Sequence, residues 1–323
     1  MEEETRLTSE DEALLQTWNA RLKTILPQEY QECYEDVEPV SMGSAGLKYD
    51  AQGNVAWNEI WGSFCDLAMA GGPPHKGTLL EPGSQEEIHA QPDRYRDVTA
   101  EICRGIRMVA DLAVEPSAIP GWVRVDCDRP VTAGWLVRAI VMENVSAHAD
   151  GTALYLPAGP AYRVEKEIKN VITVIAKTCH YFADHLWSGQ QRDIADLFAK
   201  TEAESPLVQP AVPGHGFDPE RHRALGGRMA EAIRQATGLA RSGHEYAGWL
   251  GIECPGVRTA VWMMRALVAS NILSRREGTV LFVPVNPLTD ETGGIVTRAL
   301  TDINRVAAFR VTEESRNQAA TQI

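Results

Sequence analysis

The sequence predicts an α/β fold made of internally duplicated αβαβα units packed with pseudo-twofold symmetry, and three observations predict it. Gly121–Pro160 lies over Gly248–Pro287 without a gap at a constant offset of 127, with 15 of 40 positions identical, against a chance rate of roughly one in sixteen. The offset extends upstream, where Ile102, Ile106, Arg107 and Leu112 fall on Met229, Ile233, Arg234 and Leu239. Within each copy, apolar residues switch between helical and strand periods, and Gly or Pro bounds the segments.

Each copy opens with a helix, about 95–113 and about 219–241. A short strand follows, in which Val123, Val125 and Cys127 share one face, as do Leu250, Ile252 and Cys254. A second helix covers about 131–147 and 258–275, closed by Asp150-Gly151 and Glu277-Gly278 with Gly as a left-handed C-cap. Thr152–Leu156 and Thr279–Val283 form a second strand stopped by Pro157 and Pro284, and a last helix spans about 164–187 and about 293–308. The central strand, helix and strand predict a right-handed crossover between parallel strands. The middle helices are apolar on all sides, which predicts burial between the copies.

The segment 1–90 carries traces of a degenerate third unit, since Trp61 stands sixteen residues before Gly77-Thr78, the spacing of Trp135 to Gly151 and of Trp262 to Gly278. Repeat unit 1 then spans 91–190 and repeat unit 2 spans 218–314, joined by a linker over 191–217 whose stretch Glu204–Phe217 is rich in Pro and Gly. A polar tail, 315–323, closes the sequence.

With 31 Lys+Arg against 44 Asp+Glu, a formal charge of -13 and a pI near 5.1, the composition argues against nucleic acid as a partner. The longest apolar stretch, Thr259–Leu273, is interrupted by Arg265 and falls short of the ~20 residues needed to span a bilayer, which argues against a membrane partner. The N-terminus is acidic with no apolar h-region, and the six cysteines include no CxxC, so the expectation is a cytoplasmic protein with reduced thiols. A homo-oligomer is compatible with this composition.

Candidate chemistry gathers in two places. The loop Ala70–Thr78 (AGGPPHKGT) offers Gly71 and Gly72 for close backbone approach and His75 and Lys76 as a titratable group and a cation, a composition suited to an anionic ligand. The second place is paired: Cys127 and Cys254 each end a strand before a helix, where a thiol can be activated, and Arg138 and Arg265 each sit mid-helix with Asn144 and Asn271 six residues on. A buried guanidinium needs a partner, so these arginines meet either Asp126 and Glu253 or a bound anion. His75, Cys127 and Cys254 are the candidate catalytic residues; Gly71, Gly72, Lys76, Arg138, Arg265, Asn144 and Asn271 are the candidate substrate-binding residues. His180 and Asp184, four apart on a helix, read as a surface pair, and His148 reads as a helix-end residue equivalent to Arg275. No GxGxxG, P-loop, HExxH, GxSxG or EF-hand pattern occurs, so no cofactor is assigned and no metal is expected. Two functions fit: an enzyme acting on a small anionic metabolite between the repeats and the 70–78 loop, or a non-catalytic accessory or assembly protein that binds a partner through the duplicated α/β surface.

Overall fold

The computed structural model describes residues 8–28, 31, 46–62, 77–212 and 217–321, with side chains up to 307. The chain divides into two compact units, one taking its described residues from Val37–Gln191 and Val212–Gly216 and the other from Met1–Asp36, Arg192–Ala211 and Phe217–Ile323.

In the first unit, helices α2 (Gln85–Ala90) and α3 (Pro92–Ala110) precede strands β1 (Ala113–Pro116) and β2 (Trp122–Asp126). Helix α4 (Pro130–Met142) then leads to β3 (His148–Asp150) and β4 (Ala153–Pro157). Helix α5 (Lys169–His180) lies between two π-helical stretches, Val164–Ile168 and Tyr181–His185; α6 (Ser188–Glu204) follows, and from Arg192 on it belongs to the second unit. The second unit contains α1 (Ser9–Ile25), α7 (Pro219–Thr237), β5 (Arg241–Tyr246), β6 (Trp249–Glu253), α8 (Val257–Ala269), β7 (Arg275–Glu277), β8 (Val280–Pro284) and α9 (Gly294–Thr321).

Both sheets have four strands in the same order, β1-β2-β4-β3 and β5-β6-β8-β7, and every neighbouring pair is antiparallel. The predicted parallel crossover is therefore wrong, for an identifiable reason. Asp150-Gly151 and Glu277-Gly278 do not cap helices; Gly151 (φ 58°) and Gly278 (φ 57°) turn the β3–β4 and β7–β8 hairpins. An acidic residue before Gly serves a hairpin as readily as a helix end. The helices stop earlier, at Met142 and Ala269, where Asn144 (φ 58°) and Asn271 (φ 63°) take the left-handed conformation that Asn tolerates. The residues beyond them pair as short strands, so β2 and β4 run antiparallel with β3 on the outer edge.

The element bounds repeat at the offset seen in the sequence: α3 and α7, β2 and β6, α4 and α8, β3 and β7, and β4 and β8 each start and end 127 residues apart. In both sheets an extended strap lies beside the helix-terminating Asn. Leu80 N donates to the Asn144 carbonyl at 2.8 Å and Val208 N to the Asn271 carbonyl at 2.9 Å. The straps also pass over Gly121 (φ 91°) and Gly248 (φ 79°), where a Cβ would meet the Gly83 carbonyl oxygen at 2.9 Å and the Ala211 carbonyl oxygen at 2.6 Å. Only glycine fits there.

The cores follow from the apolar stripes. Val98, Ile102 and Ile106 of α3, and Leu225, Met229 and Ile233 of α7, recur every four residues and are buried. Gly105 lets α3 approach α5, since a Cβ there would sit 2.2 Å from the Ile172 Cδ1. In the second unit α1 is held by a Thr8 capping box. Its Trp18 meets Trp262 edge to face at 6.1 Å and donates its indole N–H to the Ser270 hydroxyl at 2.9 Å. The expected linker is helical in its first half, because α6 runs to Glu204, and α9 continues as helix through most of the expected polar tail, to Thr321. No helix among the described residues is long and apolar enough to cross a membrane.

Candidate functional site

Gly71, Gly72, His75 and Lys76 lie outside the described residues. The paired cysteines are described. Cys127 and Cys254 follow β2 and β6, and their backbone amides donate to the carbonyls of Thr152 and Thr279, each at 3.0 Å. Both side chains are buried. Burial, reinforced by Asp126 and Asp128 in one case and Glu253 in the other, pushes each thiol up to about 12. That environment favours the neutral thiol, whereas a nucleophile or metal ligand needs the thiolate.

Arg138 is 4% exposed and its Nη1 donates to the Gly134 carbonyl one turn back at 2.5 Å; Arg265 is half-buried. The Asp126 carboxylate, the expected partner of Arg138, accepts the Asp128 backbone amide at 3.1 Å. Asn144 and Asn271 end helices and hold the straps, and the Asn271 side chain donates to the Ser205 carbonyl at 2.8 Å. His180 Nδ1 lies 2.6 Å from the Asp184 carboxylate, as the i,i+4 spacing predicts. Among the described residues no group of three or more His, Cys, Asp or Glu side chains is arranged to hold a metal ion.

His148 does not sit in a helix turn. It opens β3, stacked on Tyr155 at 4.2 Å and edge-on to Trp122 at 4.8 Å. Its counterpart Arg275 opens β7, fully buried, with its guanidinium 4.0 Å from the Phe282 ring centre, 4.4 Å from that of Tyr246 and 5.3 Å from that of Trp249. Glu277, 2.6 Å away, supplies the counter-charge and accepts the Tyr246 hydroxyl at 3.1 Å. A guanidinium out of water needs such a carboxylate, and the aromatic faces add cation–π attraction.

A half-open cavity lined by polar and aromatic groups lies in the second unit, beside this cage, with a volume of about 230 Å³. One wall is a single face of α7, with Pro219, His222, Arg223 and Gly226 at i, i+3, i+4 and i+7. The other is the β5–β6 hairpin, with Arg241, Glu245, Tyr246 and Trp249. The face is fixed by the start of α7, where the Asp218 carboxylate caps the amides of Glu220 and Arg221 and Pro219 takes the first helical position. Phe217 leans on the His222 ring at 5.2 Å. The buried His222 Nε2 has no hydrogen-bond partner among the described residues. Burial lowers the His222 pKa; Glu245 opposes this, and Arg223 and Arg241 add to it. Arg223 and Arg241 stand exposed at the mouth, where Arg241 pairs with Glu245.

No family model, curated protein or solved structure matches the chain. The geometry alone therefore carries the functional reading. Sequence reasoning passed over His222 because no motif surrounds it. The signal that finds it is comparative: the residue 127 positions earlier is Tyr95, so this is a matched position that differs.

Proposed function

We propose that the chain binds a small anionic molecule in the cavity between α7 and the β5–β6 hairpin. The observation that carries the reading is the combination of a buried imidazole nitrogen without a hydrogen-bond partner among the described residues, His222 Nε2, with two guanidinium groups at the mouth of a cavity of about 230 Å³. A protonated imidazole and two arginines would attract an anion over aromatic walls, the lining usual in small-molecule sites. The internal duplication supports the choice of site, because repeated residues with repeated backbone tasks are architectural and the cavity is built where the repeats differ.

A thermal-shift screen of small carboxylates and phosphates at pH 6 and pH 8 tests the reading. A ligand at ~100 times its Kd adds about 2.7 kcal/mol. An anion favours the protonated form of His222, whose pKa is lowered, so binding takes up a proton and affinity rises as the pH falls. No response to any anion, or a response unchanged by Arg223→Gln together with Arg241→Gln, refutes the proposal. The enzymatic form of this reading rests on His75 and Lys76, outside the described residues, and asks for turnover that their joint replacement by Ala abolishes. The second reading, an accessory or assembly protein, is favoured by Trp187, which is 67% exposed at the start of α6. Trp187→Ala should then abolish partner binding and leave the anion response intact.

A further inference from the structure

We infer that the cavity of the second unit is shaped for a hydroxyaryl acid, with the phenol inward and the carboxylate at the arginines; this rests on the anion-binding reading above. The inference comes from how the first unit fills the same place. Tyr95 is the fourth residue of α3, as His222 is of α7. Its hydroxyl accepts the Gly121 amide at 2.8 Å, so a phenol plugs the space between helix and sheet in the first unit. The surroundings recur 127 residues later. Gly248 has the same left-handed backbone under the same kind of strap, and Trp249 pairs with Pro284 as Trp122 pairs with Pro157. What changes is the plug: the shorter His222 replaces the phenol and brings a ring nitrogen with no partner among the described residues.

One turn further along the same helix face a second residue shrinks in the same sense. Thr99 of α3 is buried and bonds back to the Tyr95 and Arg96 carbonyls at 3.0 and 2.9 Å. Its counterpart in α7 is Gly226, which lines the cavity. Glycine in a helix interior is unfavourable relative to alanine, and packing does not require it here, because a Cβ at Gly226 would meet only the Val285 Cγ2, at an ordinary 3.9 Å. At Gly105, by contrast, a Cβ would collide with Ile172 at 2.2 Å. Gly226 therefore keeps space open. Two reductions at i and i+4 on one helix face, a phenol shortened to an imidazole and a threonine side chain lost altogether, enlarge the space beside the His222 ring, and Phe217, Tyr246 and Trp249 line the cavity of about 230 Å³ there. A guest aryl ring can stack there, its hydroxyl taking the role that the Tyr95 hydroxyl has in the first unit.

Isothermal titration of the full-length chain with 4-hydroxyphenylacetate, phenol and glutarate tests the inference. 4-Hydroxyphenylacetate should bind at least tenfold more tightly than either of the others. His222→Tyr, which restores the plug of the first unit, should weaken it at least tenfold without lowering Tm. Gly226→Thr, which restores the second residue, is a separate variant with the same expected loss and serves if His222→Tyr does not fold. Glutarate binding as tightly as 4-hydroxyphenylacetate overturns the aryl inference and leaves the anion reading standing. Phenol binding equally well overturns the anion reading, and the hydroxyaryl acid with it. No binding by any of the three probes, or affinity unchanged in both variants, also overturns the inference.

Discussion

Glu143 and Lys177 form an ion pair at 3.0 Å inside the first unit, with side-chain exposures of 11% and 2%. Replacing Glu143 with Leu leaves the Lys177 ammonium buried without its counter-charge. The ammonium's escape is to release its proton, which costs about 1.36 kcal/mol for each pH unit below its unfolded pKa. From the ordinary lysine value of 10.5 the penalty is about 5 kcal/mol at pH 7 and about 2 kcal/mol at pH 9, the first matching the ~3–5 kcal/mol typical of a broken buried pair. Burial already lowers the Lys177 pKa, and Glu143 holds it up. Without Glu143 the folded state binds fewer protons than the unfolded state over a wider window below 10.5, so stability must rise with pH there. Urea unfolding of Glu143→Leu, followed through the transition of the unit containing α5 at pH 7, 8 and 9, should show the penalty shrinking by about 1.4 kcal/mol per pH unit. Adding Lys177→Met should return stability to within about 1 kcal/mol of wild type. A penalty independent of pH, or a double variant as unstable as the single one, refutes this account.

Three further perturbations read separate parts of the fold. Cys127 and Cys254, buried and pushed up to about 12, should resist iodoacetamide at pH 8 in the native protein and react once urea is added; because their folded pKa values are raised, stability should fall as pH rises from about 8.5 toward 12. Gly105→Ala places a methyl against Ile172 and should cost about 1–3 kcal/mol in urea unfolding, whereas Gly226→Ala should gain up to about 1 kcal/mol. Asp111 caps α3 in the left-handed conformation (φ 51°) where α7 has Gly238 (φ 75°), so Asp111→Gly should raise Tm by a few degrees.

Helices α3, α4, α5, α7, α8 and α9 and two of the four strands in each sheet were legible because their apolar periods are strong, whereas α1, α2 and α6 were not read. Strands β1, β3, β5 and β7 were not. His148–Asp150 and Arg275–Glu277 are three residues long, too short for a period of two to register, and both are polar edge strands. Their hairpin turns wear the Asp-Gly and Glu-Gly signature that also ends helices, so one misread turn converted an antiparallel sheet into a parallel crossover. The site was harder to read, because its walls come from α7 and from a hairpin about twenty residues away, and no motif spans such a distance. Arg275 shows the same limit. Nothing near it in sequence announces the Tyr246, Trp249 and Phe282 rings that surround it.

The offset of 127 residues turns the protein into its own comparison. Where both partners of a pair have the same backbone task, as Gly121 and Gly248 do under their straps and Asn144 and Asn271 do at their helix ends, identity follows from the fold and implies no ligand. Where the partners differ, the local backbone acts as a control, and the difference needs its own cause. His148 stacks on Tyr155 while Arg275 lies against Phe282 and pairs with Glu277, so each has its ring or ion-pair contacts within its own sheet. Tyr95 and His222 differ in another way: the Tyr95 hydroxyl accepts the Gly121 amide, whereas the His222 Nε2 has no hydrogen-bond partner among the described residues and lines a cavity. Gly226 opposite Thr99 departs in the same direction, at a cost in helix stability that packing does not demand. Both departures enlarge one cavity, and the occupant proposed above accounts for the two together.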